Sequence, residues 1–152
     1  MISSKKIILR NPEDEDSELY FKWINNKQLV EYNSTFKVVS KKDHNIWFGN
    51  ITKDKNIKIF SIIEKSNNKL IGSCSLRNIN YVSKSAELQI RIGEKLFRNK
   101  GLGSEAVKLL VSYGFKFLNL NEIYLHVFEN NLRAIKTYEK NKFKKEKLMK
   151  KY

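Results

Sequence analysis

Phe97-Arg98-Asn99-Lys100-Gly101-Leu102-Gly103-Ser104 is the stretch on which the reading of this chain turns. Ahead of it, Ala86 to Ile92 alternates and predicts a strand, with Ala86, Leu88, Ile90 and Ile92 on one face and Glu87, Gln89 and Arg91 on the other. After it, Glu105 to Leu118 predicts a helix, because Ala106, Leu109, Leu110, Tyr113 and Phe117 recur at spacings of three and four. A basic, glycine-containing loop therefore joins a strand to a helix N-terminus. Such a loop offers backbone N–H groups and the positive end of a helix dipole to an anion. Taken alone, it is equally readable as an ordinary strand-to-helix turn.

The chain of 152 residues is long enough for one domain, expected to span 1–152. With 41% hydrophobic and 12% aromatic residues it should fold. It has no apolar run of about 18 residues, so no membrane partner is expected. The first residues, Met1 to Lys6, lack the apolar core of a secretory signal, and a cytoplasmic location follows. The single cysteine, Cys74, cannot form an internal disulfide and reads as a small buried hydrophobe. A net charge of +14 invites comparison with nucleic-acid binders. Lysine greatly outnumbers arginine, however, and is spread along the whole chain, so nucleic acid is not the expected partner. The dense basic run from Lys140 to Lys151 reads as a solvated strand face and tail.

The remaining elements follow from local signals. Lys6 to Arg10 is a strand; Asn11 and Pro12 then suggest an N-cap and a first helical position. Glu13, Asp14, Glu15 and Asp16 suit the first turn of that helix, whose buried face would carry Leu19, Tyr20, Trp23 and Ile24. The same acidic cluster could instead draw in a cationic amine. Ser40 to Asp43 resembles a capping box ahead of a helix with Ile46, Trp47 and Phe48. Ile57 to Ile63 and Leu70 to Ile79 are strands joined by a turn at Ser66 to Lys69, and Lys84 to Ile92 completes the meander. Glu122 to Phe128 is a further strand, Leu132 to Lys140 a short helix, and Phe143 to Met149 a last strand. The order β-α-α-β-β-β-α-β-α-β predicts an α+β layered fold.

Two segments together resemble the GNAT N-acetyltransferases. Arg98-Asn99-Lys100-Gly101-Leu102-Gly103 is similar to that family's Gln/Arg-x-x-Gly-x-Gly/Ala signature. Asn131-Leu132-Arg133-Ala134-Ile135-Lys136-Thr137-Tyr138-Glu139-Lys140-Asn141-Lys142-Phe143 is similar to its second signature, N-x-x-A-I-x-x-Y-E-K-x-G-F, with Lys142 in place of the glycine. The resemblance implies a three-layer α/β/α fold with a mixed, mostly antiparallel sheet splayed between the fourth and fifth strands. It implies acetyl-CoA as co-substrate, with no metal. Family members usually continue into a seventh strand, whereas this chain stops at Tyr152. A missing last strand would leave a sheet edge open to pairing, so a homodimer through the C-terminal edge is an expectation.

Acetyl transfer needs the thioester held, its carbonyl polarised, the amine deprotonated and the thiolate reprotonated. For holding, the resemblance assigns the amides of Asn99, Lys100, Gly101, Leu102, Gly103 and Ser104 to the CoA pyrophosphate, with charge from Arg98 and Lys100. For polarisation, it assigns the backbones of Ile90, Arg91 and Ile92 to the pantetheine arm and thioester carbonyl. Asn131 matches the residue that bonds the arm, and as a simple helix N-cap it would serve both roles. Tyr138 matches the tyrosine near the sulfur; it equally suits packing of one helix face. Glu87, beside the expected thioester stretch, is the leading general base, with a structural salt bridge as the other reading. His126 is a second candidate; His44 has no supporting context.

The acceptor is less determined. The pattern is similar to acetyltransferases of polyamines, nucleotide-linked amino sugars and ribosomal proteins. A small-molecule amine is the expected partner. The N-terminal acetylation of protein is an alternative, and a non-catalytic CoA-binding or nucleic-acid-binding module is another.

Overall fold

In the computed structural model, which describes residues 1–30 and 36–144, six strands lie side by side in sequence order. They are β1 (Ile2–Ser3), β2 (Ile7–Arg10), β3 (Lys58–Glu64), β4 (Lys69–Asn80), β5 (Ser85–Ile92) and β6 (Glu122–Tyr124). Neighbours from β1 to β5 pair antiparallel, and short turns join β3 to β4 and β4 to β5. The β5–β6 pair is parallel. A parallel pair needs a long crossover, and α4 (Leu102–Lys116) supplies it. The other helices are α1 (Ser17–Ile24), α2 (Lys27–Val30), α3 (Lys41–Ile51) and α5 (Leu132–Lys140).

Strand alternation sorts the two faces. Leu9, Ile62, Leu76 and Leu88 point to one side, where Ala106 and Leu110 of α4 close over them in the main core. Each such apolar side chain contributes about 1.5–3 kcal/mol on burial. Cys74 is buried here as a free thiol. On the opposite face Tyr20 and Trp23 of α1, Leu29 of α2 and Ile51 of α3 form a smaller cluster with Ile59. The result is the expected three-layer α/β/α arrangement, with a mostly antiparallel sheet.

The first helix starts later than the Asn11-Pro12 signal suggests. Residues Asp14–Asp16 form a 3-10 turn capped by Glu13, and α1 follows from Ser17. A tertiary ion pair decides this. Asp16, only 3% exposed, accepts from Arg10 Nη1 at 2.7 Å and Nη2 at 3.0 Å, from the Glu13 N–H at 2.9 Å and from Ser61 Oγ at 2.7 Å. Those four bonds tie the start of the helical layer to β2 and β3. They also remove Asp16 from any role in attracting an amine.

The far end of the sheet is shorter than expected. β6 ends at Tyr124 rather than Phe128, although Leu125 and Val127 still turn toward the core. Phe143 and Lys144 are in no strand. The rest of the predicted last strand, and with it the edge expected to carry a homodimer, lies outside the described residues. Among the described residues, no helix is long and apolar enough to cross a membrane.

Burial opposes the Asp16 charge, but the hydrogen bonds from Arg10, Glu13 and Ser61 outweigh it and hold the carboxyl below its ordinary range. Its stabilisation is therefore complete above the unfolded carboxyl pKa of about 3.9 and is lost as pH falls through the lower folded value. Asp16→Asn should cost about 2 kcal/mol at neutral pH, the worth of a charged hydrogen bond. Urea unfolding of both proteins at pH 7 and near pH 3 should show the gap closing in acid.

Candidate active site

The site begins where β5 and β6 part. Their ladder has the register Ser85↔Glu122, Ala86↔Ile123, Glu87↔Tyr124, and it ends there. β5 itself continues to Ile92 along β4. Gly93 N–H bonds the Ile71 carbonyl at 2.7 Å, which fixes the alternation: Gly93, Arg91 and Gln89 turn their backbone groups toward β4, and Ile90 and Ile92 turn theirs away. Close approach at Gly72, where a Cβ would lie 2.1 Å from the Arg91 carbonyl oxygen, agrees. Of the three backbones expected at the thioester, those of Ile90 and Ile92 turn away from β4. That of Arg91 belongs to the sheet.

A cleft of about 40 Å³ at the splay is lined by Glu87, Leu88, Gln89, Ile90, His126 and Tyr138. Three candidates, Glu87, His126 and Tyr138, thus share one small space although they are distant in sequence. Asn78 Nδ2 donates to Glu87 Oε1 at 3.1 Å. His126 meets the Tyr124 ring edge to face, with centroids 5.9 Å apart. Tyr138 is 8% exposed, and burial pushes its phenol up to about 12. It is protonated at neutral pH.

The glycine loop follows the end of β5 and leads into α4. Asn99 and Gly101 both take left-handed backbone angles, φ +64° and +78°. A Cβ at Gly101 would meet nothing within 4 Å, so conformation rather than space calls for glycine there. α4 starts at Leu102, three residues before the predicted start at Glu105, and its first internal bond is Glu105 N–H to the Gly101 carbonyl, 3.1 Å. The amides of Leu102, Gly103 and Ser104 consequently have no partner within the helix. A Cβ at Gly103 would have only Ile92 near it, at 3.8 Å. Open space beside three helix-end amides fits a pyrophosphate. Arg98 departs from expectation: its Nε donates to the Ile92 carbonyl at 3.1 Å and its Nη2 to that of Gly93 at 3.3 Å. Its fork fastens the loop to the end of β5. Lys100 lies with Nζ 5.7 Å from the Phe97 ring centroid.

The second signature is a helix with both ends capped. Asn131 accepts from the Ala134 N–H at 3.3 Å. At the other end Phe143 N–H bonds the Tyr138 carbonyl and Lys142 N–H that of Glu139, both at 3.0 Å. This is a Schellman motif, with Lys142 in the left-handed position at φ +71°. Its apolar contact is Phe143 against the Tyr138 ring, centroids 5.9 Å apart. The cap therefore presses on the tyrosine that faces the cleft. Asn141 Nδ2 reaches across to Ser104 Oγ at 3.0 Å and joins the two signatures.

On the other side of β5 a cavity of about 570 Å³ separates the sheet from α1 and α3. Its roof includes Tyr20, Trp23, His44 and Trp47, and its floor includes Ser73, Ser75, Arg77, Gln89 and Arg91. Gln89 and Ile90 line both this cavity and the cleft. His44 is buried; burial lowers its pKa, and Ser17 bonds its Nε2. Burial also lowers the pKa of Arg91, with Arg77 adding to the effect. Apart from Arg91, sequence reasoning did not select this polar floor, nor His44. The available signal was the run Ser73, Ser75, Arg77 on one face of a strand otherwise apolar enough to be central. Among the described residues, no group of three or more His, Cys, Asp or Glu could hold a metal.

The fold and site define an acyl-transfer enzyme. The chain matches the acetyltransferase (GNAT) domain over residues 6–144 and belongs to that family of N-acetyltransferases. The uncharacterized N-acetyltransferase p20 of Bacillus licheniformis is 32% identical over 152 residues, covering 98% of this chain and 85% of that protein. The spermidine N(1)-acetyltransferase of Vibrio cholerae is 38% identical over 85 residues, 56% of this chain and 49% of that protein. A crystal structure of spermidine N-acetyltransferase from Vibrio cholerae, in complex with CoA and spermine, superposes with a TM-score of 0.86 at 28% identity, covering 95% of this chain and 84% of that one.

The left-handed Lys142 yields a test of the cap. A non-glycine residue there costs about 1–2 kcal/mol, partly offset by glycine's greater unfolded entropy. Lys142→Gly should raise stability by about 0.5–1 kcal/mol, read as an increased midpoint in thermal or urea unfolding.

Proposed function

We propose that this chain transfers the acetyl group of acetyl-CoA to a primary amine of a small molecule, by direct attack in a ternary complex. The observation that carries this reading is the convergence of Tyr138, Glu87 and His126 with Ile90 on one cleft that shares Gln89 and Ile90 with the wall of a second, larger cavity. One space suits the thioester end of CoA, the other an acceptor.

In this reading the amides of Leu102, Gly103 and Ser104 hold the pyrophosphate. Ile90 and Ile92 hold the pantetheine arm and thioester carbonyl, and Asn131 flanks the arm while capping α5. The neutral amine attacks the thioester carbon; the C–N bond forms, and the C–S bond breaks to release the thiolate. Glu87, directly or through water, takes the proton that the nitrogen loses, with His126 as the nearby alternate. Tyr138 faces the sulfur. Its buried phenol is a weaker acid than a thiol, whose reference pKa is about 8.5. Its first contribution is therefore an O–H···S hydrogen bond that stabilises the departing thiolate. Proton delivery to sulfur follows when the proton from the amine replaces that of the phenol. The products are the N-acetyl amine and CoA with its thiol restored, so protons balance.

Tyr138→Phe keeps the ring and the contact with Phe143 but removes the hydroxyl. It should lower kcat at least tenfold while leaving acetyl-CoA affinity unchanged. Thiol release measured over a panel of amines, alongside calorimetric titration with acetyl-CoA, checks this. Unchanged turnover would remove Tyr138 from the mechanism. Acetyl-CoA that does not bind would remove the enzyme reading altogether.

A further inference from the structure

We propose that the cavity between the sheet and the α1–α3 layer receives an anionic group of the acceptor, a phosphate or carboxylate, on Arg77 and Arg91, so that the amine acetylated belongs to an anionic small molecule and not to a polycation. The inference rests on the acetyltransferase reading, because it concerns the acceptor half of that site.

The two arginines rise from neighbouring strands onto the same cavity floor. Arg77 leans along the sheet toward Arg91: its Nη1 donates to Gln89 Oε1 at 2.9 Å, one diagonal step across the ladder. The Nε atoms of both guanidiniums are buried without a hydrogen-bond partner. Among the described residues Arg91 forms no ion pair. Buried cations of this kind are unfavourable unless something neutralises them.

Glu87 stands opposite Arg77 in the ladder but accepts from Asn78 at 3.1 Å and, among the described residues, forms no ion pair with either arginine; the other carboxylates around the cavity are engaged elsewhere. Asp16 is bonded to Arg10, Ser61 and the Glu13 N–H. Glu94 accepts from Trp23 Nε1 at 2.9 Å and faces Lys69 at 3.7 Å. Glu18 pairs with Lys41 at 2.8 Å. Asp43 is the one acid in the cavity lining, and it sits exposed at the rim. The other ionisable neighbour in the roof, His44, is held neutral by burial at ordinary pH.

What remains is a floor of two guanidiniums, two serine hydroxyls (Ser73 and Ser75) and the Gln89 amide, under the rings of Tyr20 and Trp47. Guanidinium forks match the oxygens of phosphate and carboxylate. A polyamine carries several positive charges at neutral pH and would have to lie over both arginines. Arg91 follows Ile90 directly on β5, a rise of about 3.3 Å. The anionic group and the amine therefore belong to one compact molecule.

The test is binding and turnover with matched amines, in the presence of saturating CoA or acetyl-CoA so that the glycine loop is already filled. Glucosamine 6-phosphate and UDP-glucosamine represent phosphate in two settings, and 4-aminobutyrate represents carboxylate. Glucosamine and spermidine are the uncharged-parent and polycation comparisons. At least one anionic amine should bind tenfold or more tightly than glucosamine and spermidine, and the preferred one identifies the source of the anion. Arg91→Gln and Arg77→Gln should each weaken that binding at least tenfold, with the corresponding Lys variants recovering part of it and CoA affinity staying within twofold. The melting temperature of unliganded Arg91→Gln should hold or rise, since an uncompensated buried cation is removed.

Spermidine binding as tightly as the anionic amines, no binding by any anionic probe, or a lowered melting temperature for Arg91→Gln would overturn the proposal. The two readings separate cleanly. Arginine-dependent binding of an anionic amine without acetyl transfer would defeat the enzyme reading and leave the anion site standing. Acetylation of glucosamine or spermidine alone would do the reverse.

Discussion

Everything at the candidate site depends on a parallel pair that lasts for three residues. β6 is anchored at its foot, where Asn121 and Glu122 N–H both bond the Lys84 carbonyl at 2.7 and 3.2 Å. There Ile123 lies so close to α4 that a Cβ on Gly114 would come within 2.8 Å of it. Beyond Tyr124 the pairing stops while β5 runs on. A strand edge released in this way leaves peptide groups that need a partner. In a central strand the edge cannot face bulk solvent, so the gap between β5 and β6 becomes a slot suited to a ligand with amide and carbonyl groups of its own. The parting thus creates the free edge of β5 at which the cleft lies.

The walls of that slot are made rigid by unusual backbone rather than by extra core. Asn99, Gly101 and Lys142 all sit at positive φ, the first two in the loop before α4 and the third just after α5. Arg98 then binds the loop to Ile92 and Gly93, and Asn141 binds the end of α5 to the beginning of α4. These ties hold the loop amides and Tyr138 in a fixed relation before any ligand arrives. Preorganisation of that sort lowers the entropy lost on binding. It also gives Arg98 a meaning different from simple charge. Its positive head is spent on carbonyl oxygens.

Regular elements were legible wherever one period dominated. The alternation from Ala86 to Ile92 and the three-four spacing through Ala106, Leu110 and Tyr113 translate directly into β5 and α4. Boundaries were less so. The first turn of α4 carries a single apolar residue, Leu102, next to the loop glycines, and its start is set by the dihedral at Gly101. The expected cap at Asn11 yielded to the Arg10–Asp16 pair, a contact whose strength is invisible until Ser61 of a distant strand joins it. The two signatures were readable because each is local in sequence. The larger cavity was not, because Ser73, Arg77, Gln89, His44 and Trp47 come from three separate elements, and only the register Ser73↔Arg91, Ser75↔Gln89 brings the floor together. Arg91 shows the limit well: alternation assigns its face, but only the hydrogen bond of Gly93 to Ile71 shows which of its groups belong to the sheet.

The contact between Gly93 and Trp23 has a consequence for descent. A Cβ on Gly93 would fall 2.1 Å from the Trp23 ring, and the indole N–H is in turn held by Glu94. Neither residue can be exchanged alone: a larger residue at 93 demands a smaller one at 23, and a smaller one at 23 leaves a hollow over the exit of β5. Mutational paths that reshape the cavity roof must therefore pass around this pair. Trp47, which is 42% exposed, has no such lock and can drift singly. Acceptor preference in this lineage should accordingly diverge from the α3 side of the roof, while the corner nearest the coenzyme loop changes only in concerted steps.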